Sequence, residues 1–275
     1  PSLITLLQAR SELTKTGKEG FNRLLKRLGI PQHFHEEARF GSTAMLFLLL
    51  VALRANFPAF SDWYNKKGFE KYQQGQFAGA ESIYQQALAL NPDNFKAHYN
   101  LAVLYEDLQE FDKAKTQYQF AVKGNFIKAQ NNQARIHIIE GKPDLAIPLL
   151  LSGFNNFADQ DNPSIAITYS LYKNLGWAFS KQEQTQLAEK FLKTAIQIGN
   201  SPEGIEKIRS RGSAHCLLAQ LFQGQPQKQT EAVEQWQKCC QLGSVFNPDE
   251  SEWLSSAHKK LKETGKSCDE ENLNL

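Results

Sequence analysis

The side chains best equipped for recognition in this sequence are amides and amines. Asn100, Asn132 and Asn174 recur at one place in successive repeats of the chain. An amide donates and accepts at once, so a ladder of them would grip the backbone of an extended peptide with little regard for its side chains. The same amides can equally be spent on hydrogen bonds within the fold. Flanking places carry Lys96, Tyr99 and Val103, then Lys128, Asn131 and Arg135, then Ser170, Lys173 and Trp177. Such a surface is mildly basic, with aromatic and apolar spots. It suits a peptide with acidic and aromatic residues. A solvated charged face that binds nothing is the plain alternative.

Other chemistries find less support. There is no glycine-rich phosphate loop, no nucleophile elbow and no His-Glu-x-x-His run. His98, His137 and His215 fall on separate predicted helices with no paired acid nearby in sequence. No enzymatic activity and no cofactor are expected. The run His33-Phe34-His35-Glu36-Glu37 has metal-capable side chains but no convergent partners in the sequence, so structural or surface roles are expected for it. Cys216, Cys239, Cys240 and Cys268 show no metal-ligand spacing and read as free thiols in a reducing compartment.

The elements that must position the amides come from a repeat. Gly68, Ala80 and Ala87 stand 34 residues before Ala102, Ala114 and Ala121, with Tyr84 over Tyr118 and Phe77 over Phe111. Small residues at these places let two helices cross closely, Gly75 offers a left-handed helix end, and Pro92-Asp93-Asn94 stops one hairpin and caps the next. The pattern Gly68-x6-Gly75-x4-Ala80-x3-Tyr84-x2-Ala87-x4-Pro92 closely resembles the consensus of the tetratricopeptide repeat (TPR) family. The resemblance implies an all-α solenoid of about five helical hairpins, with the first helix of each lining a concave groove for a protein or peptide partner. The repeats are expected at 61–94, 95–126, 127–158, 164–200 and 203–249, the third degenerate, with Gly153 in place of the later Ala. The first helix of the fifth is expected over 203–223. A capping helix at 250–263 and a disordered acidic tail to 275 should follow. The chaperone-binding members of this family use a two-carboxylate clamp. Asn100 and Lys128 match that motif, whereas Asn65, Phe69 and Asn132 depart from it, which argues against a chaperone C-terminus as ligand.

The N-terminal quarter has a different character. Residues 1–39 read as basic amphipathic helices, with Phe21, Leu24, Leu25 and Leu28 on one face of the second. Residues 40–60 carry one charge, Arg54, and Met45 to Leu53 is unbroken apolar sequence. Eight strongly apolar side chains supply roughly −3 to −4 kcal/mol of insertion free energy, against about +2.5 to +3.5 for a mid-span Arg, a cost that falls when the Arg lies off-centre. A single membrane span ending at Pro58 is therefore the expectation, and a helix that packs on the first hairpin is its rival. A cleavable signal peptide is not expected. A net charge of +2 in 275 residues gives no strong electrostatic steering toward nucleic acid. The function this implies is a membrane-anchored interaction scaffold acting in complex assembly or biogenesis. A soluble adaptor, or the regulatory tail of a larger signalling enzyme, is the alternative.

Overall fold

The computed structural model describes residues 15–155, 164–244 and 248–268. The expected first helix before residue 15, the connection over 157–163 and the end of the acidic tail lie outside these residues. The chain divides into two compact units after Phe60.

The first unit holds helix α1, Lys15–Arg27, a 3-10 turn at Gln32–Phe34, and α2, His35–Ala55. Gly29, at φ 75°, makes the turn after α1, and His35 Nε2 hydrogen-bonds the carbonyl of Ile30 at 3.1 Å. Of the apolar face expected on α1, Leu25 is buried but Leu24 and Leu28 are exposed. Helix α2 has an exposed apolar surface: Phe40, Met45, Leu48 and Leu50 all stand more than half exposed. It forms part of a 24-residue helical segment, Gln32–Ala55, of mean hydropathy 1.5, long and apolar enough to cross a membrane. The segment ends at Asn56 rather than Pro58. The Asn56 amide bonds the Ala52 carbonyl at 2.7 Å, and Pro58 falls at the second residue of the next helix, where a missing N–H leaves no bond unmade.

The second unit is all helix among the described residues. Its helices are α3 (Phe57–Gln73), α4 (Phe77–Leu90), α5 (Phe95–Asp107), α6 (Phe111–Lys123), α7 (Ile127–Ile139), α8 (Pro143–Asn155), α9 (Ile165–Lys181), α10 (Thr185–Gly199), α11 (Pro202–Lys207), α12 (Gly212–Gln223), α13 (Gln229–Leu242) and α14 (Pro248–Glu263). They pair as hairpins α3/α4, α5/α6, α7/α8, α9/α10 and α12/α13, and α14 packs on both helices of the last. Four of the turns within hairpins place one residue in the left-handed region: Gly75, Gln109, Gly141 and Glu183. Gln109 and Glu183 bear a Cβ there, which glycine avoids. The first two hairpins are tied by a buried polar link. Asn94 caps α5 by accepting from the Ala97 N–H at 3.0 Å, its Nδ2 donates to Ser61 Oγ at 2.8 Å, and Ser61 Oγ donates to the Ala87 carbonyl at 2.8 Å.

The core follows the small-residue places. Ala80, Ala87, Ala114, Ala121, Ala146, Ala188 and Ala195 are fully buried, and Tyr84, Tyr118, Leu150, Leu192 and Trp236 fill the space beside them. In the last hairpin Cys239 stands where the other repeats have Ala or Gly, and it is bonded to Cys216. A second disulfide joins Cys240 to Cys268. The four cysteines are thus paired rather than free, because α12, α13 and the residues after α14 bring together positions that sequence separates by 23 and 28 residues.

The fifth hairpin departs from expectation at its start. Its first helix is broken into α11 and α12. Ser201 caps α11 through the Gly204 N–H at 3.0 Å, Ile208 is extended, and Gly212 opens α12 pressed against the backbone of Gly243. After α14 the chain turns at Gly265 (φ 73°), where the Lys266 N–H bonds the Leu261 carbonyl, and Cys268 is pinned to α13.

The close helix crossings make a paired prediction. A Cβ on Gly176 would lie 2.5 Å from Leu192 Cγ and 3.1 Å from the Leu192 backbone nitrogen, whereas one on Gly79 would meet nothing within 4 Å. Gly176→Ala should destabilise the fold by about 1–2 kcal/mol, overpacking outweighing the helix gain. Gly79→Ala in α4 should be neutral or stabilising by about 0.5–1 kcal/mol. Urea unfolding of both variants checks the contrast, and equal effects would show that the crossing is not tight.

Candidate peptide-binding groove

The first helices of the first three hairpins, α3, α5 and α7, line a cavity of about 660 Å³. Its apolar lining comes from Phe69 and Tyr72 of α3, Tyr99 and Val103 of α5, and Phe126 just before α7. Tyr99 meets Phe126 edge-on with ring centroids 5.0 Å apart, and Phe69 stacks beside Tyr72 at 6.2 Å. Lys66, Lys96 and Lys128 are exposed at the border, and none is within ion-pair distance of a carboxylate among the described residues. Asp62 is the one acid in the lining. Three amines against one carboxylate leave the cavity positive.

Two polar groups set its floor. Asn100 Nδ2 donates to Asn65 Oδ1 at 2.8 Å, which fixes both amides and leaves the Asn100 carbonyl and the second Asn100 hydrogen for other partners. Tyr84, fully buried, borders the cavity, and its hydroxyl has no hydrogen-bond partner among the described residues. Burial pushes the Tyr84 phenol well above its ordinary range, so it stays a neutral donor. Tyr72 donates to Asp107, and burial together with that carboxylate also raises its pKa.

Farther along the stack the expected groove is spent on the chain itself. Asn132 Nδ2 donates to the Tyr118 hydroxyl at 3.0 Å, Asn131 donates to Asn132 Oδ1 at 3.2 Å, and Asn174, with no exposure, donates to Asn131 Oδ1 at 2.9 Å. The recurring asparagines therefore do not line up as one exposed ladder: Asn100 borders the cavity, Asn132 is half-buried and Asn174 is buried. Beside these amides the C-terminal helix fills the groove. Arg135 is held by Glu106 on one side and by both oxygens of Asp249, at 2.8 Å, on the other. Trp253 of α14 packs edge-on against Trp177 at 5.1 Å, and the Lys173 amine lies 6.0 Å from the Trp253 ring centre. Lys173 is 7% exposed, and burial lowers its pKa against the pull of Asp249. Glu250 is buried and accepts from Ser210, Ser213 and the Ser244 N–H. Ser170 bonds its own helix at the Ala166 carbonyl.

Of the eleven side chains expected in the groove, Lys96, Tyr99, Asn100, Val103 and Lys128 border the open cavity, while Asn131, Asn132, Arg135, Asn174, Lys173 and Trp177 are engaged internally. Sequence reasoning missed Asp62, Tyr72, Tyr84 and Phe126 in the lining and the first turn of α14 as an occupant. The acidic start of α14, Asp249-Glu250, opposite a groove Arg was the available signal.

A family model described as tetratricopeptide repeat matches residues 71–119. Residues 71–119 thus carry a tetratricopeptide repeat. An uncharacterized protein, ycf37, of Pyropia yezoensis is 33% identical over 79 residues, covering 29% of this chain and 44% of that protein. The chain spans less than half the length of each curated relative it matches. Among solved structures, the type IV pilus biogenesis factor PilW aligns with TM-score 0.55 at 20% identity, over 74% of this chain and 86% of PilW. PilF of Pseudomonas aeruginosa aligns with TM-score 0.54 at 17% identity, over 77% and 93%. At these identities the likeness is one of fold: TPR-type hairpins stacked in sequence order.

The ion-paired plug generates its own test. Breaking a largely buried pair costs about 3–5 kcal/mol, less where some exposure remains. Arg135 and Asp249 keep 17% and 12% of their side-chain exposure. Arg135→Ala should therefore ease the local opening of α14 by about 2–3 kcal/mol. Hydrogen exchange over 249–258 should quicken while α5 keeps its protection. Unchanged exchange in α14 would mean that packing on α12 and α13 alone holds it.

Proposed function

We propose that this TPR protein is a non-enzymatic scaffold. It holds an extended, acidic and aromatic segment of a partner polypeptide in the cavity between α3, α5 and α7, and α2 anchors it at a membrane, where it serves complex assembly. The cavity carries the reading. It joins an aromatic and aliphatic wall, three amines free of ion pairs and an unpaired buried hydroxyl donor in one place. Apolar area supplies affinity, the amines select acidic partners and speed encounter, and the Asn100 amide bonds the peptide backbone. The segment bound is short, because the first turn of α14 closes the groove at Arg135 and Trp177. The anchor rests on the length, hydropathy and exposure of the apolar helix. Nothing in the cavity pairs a nucleophile with a base, which favours binding over catalysis.

Selection of random peptides against the purified chain should enrich sequences with Asp or Glu beside aromatic residues. Lys96→Glu with Lys128→Glu should weaken the selected peptides by about 10–100-fold. A selection without acidic bias, or indifference to the double reversal, would overturn the site.

The anchor is tested separately. The expressed protein should pellet with membranes and resist carbonate extraction. A variant with Leu48, Leu49 and Leu50 replaced by Ser should be released, and recovery of the wild type in the carbonate supernatant would remove the anchor.

A further inference from the structure

Sequence spacing gave the cysteines no metal-binding pattern, but the fold assembles one. Cys240 of α13, His258 of α14 and Cys268 beyond α14 bring their ligand atoms within 4.8 Å of one another. Cys268 Sγ lies 3.3 Å from His258 Nδ1 and 3.7 Å from Nε2. Ligand atoms on a tetrahedral zinc stand roughly 3.4–3.8 Å apart, given Zn–S near 2.3 Å and Zn–N near 2.0–2.1 Å. The cysteine and histidine pair already stands at about that separation. Cys240 and Cys268 are joined as a disulfide, and thiolates at the same positions would need only to spread to the zinc spacing. We propose that the reduced chain binds one Zn(II) through Cys240, His258 and Cys268, so that the same two sulfurs serve either as a disulfide or as metal ligands.

The donor set selects the metal. Two thiolates and an imidazole are soft to borderline ligands, which favour zinc over magnesium or calcium. His258 is exposed and the two cysteines half-buried, so the ion can enter from solvent. No fourth protein ligand joins the cluster among the described residues, and the fourth position falls to water or to a donor from outside the chain. Cys216 and Cys239 do not contribute: both are fully buried in the core of the last hairpin.

The exchange balances. A dithiol reductant gives two electrons and two protons to the Cys240–Cys268 bond and becomes a disulfide itself. Zinc then replaces the two thiol protons, which pass to solvent. Either state ties the end of α14, the helix whose first turn plugs the groove, to α13. The metal would therefore preserve in reducing surroundings a tether that the disulfide supplies in oxidising ones.

The test uses the full chain in detergent, reduced with a phosphine and kept free of oxygen. Zinc should bind with one equivalent per chain against a weak chromogenic chelator, and Co(II) should show thiolate charge-transfer and tetrahedral d–d bands that zinc abolishes. His258→Asn should weaken zinc binding by at least about 100-fold. Cys240→Ser should remove the cobalt charge-transfer of this site, and the oxidised wild type should bind none. A reduced wild type that yields all its zinc to the chelator overturns the proposal and needs no variant to fold. Zinc held as tightly by Cys240→Ser also overturns it, since the ligands would then be elsewhere.

Discussion

Each hairpin closes because a small residue on one helix lets a bulky side chain of the other lie against nearly bare backbone. The Tyr84 ring sits where a Cβ on Gly68 would be 2.6 Å away, and Leu192 does the same over Gly176. Dispersion between such surfaces is lost within fractions of an ångström, so the crossing distance is set by the smallest side chain present. Everything else in the second unit inherits that distance. It decides how the next hairpin seats, and it decides that the first helices turn a common face toward the cavity. Where the chain relaxes the rule, at the break between α11 and α12, another glycine contact takes over, Gly212 against Gly243.

The same crossings explain why polar groups cluster where they do. Side chains on the common face of α5, α7 and α9 have only each other or a ligand to bond. In the distal part they found partners: Asn132, Tyr118, Glu106, Arg135 and Asp249 run as one connected chain of hydrogen bonds and ion pairs from the stack into α14. Each member leaves no polar atom stranded on its neighbour, and removing one would expose a buried charge. In the proximal part, the three amines and the Tyr84 hydroxyl have no such chain, and the cavity remains. The two halves differ in the polar residues their repeats carry and in the reach of α14, which touches only the distal one.

The C-terminal helix is held at both ends by different chemistry. Its first turn is fixed by charge and by the edge of Trp253 on Trp177, and the chain beyond its last turn is fixed by sulfur. Between them Leu254, Ala257 and Leu261 bury the apolar face against the last hairpin. A solenoid needs some such cover at its end, since an open hairpin leaves an apolar face in water.

Much of the fold was legible in the sequence, because the repeat is enforced locally. The 34-residue spacing of Gly68, Ala80 and Ala87 against Ala102, Ala114 and Ala121 reports a packing requirement that recurs wherever one hairpin meets the next, so it survives as a one-dimensional pattern. The apolar run of α2 is legible from its composition alone, and the proximal residues Lys96, Tyr99, Asn100, Val103 and Lys128 follow from the same counting of the repeat. The fate of Arg135, Lys173, Asn174 and Trp177 does not. For Arg135, Lys173 and Trp177 it hangs on contacts with Asp249 and Trp253, more than seventy residues away, and for Asn174 on Asn131 of another hairpin; no periodicity relates a groove to the element that folds back into it. The cysteines make the same point: Cys240, His258 and Cys268 share no helix and no repeat position, and only the packing of α14 on α13 brings them together. Sequence determined what repeats; tertiary structure decided what returns, because a contact made once leaves no pattern to count.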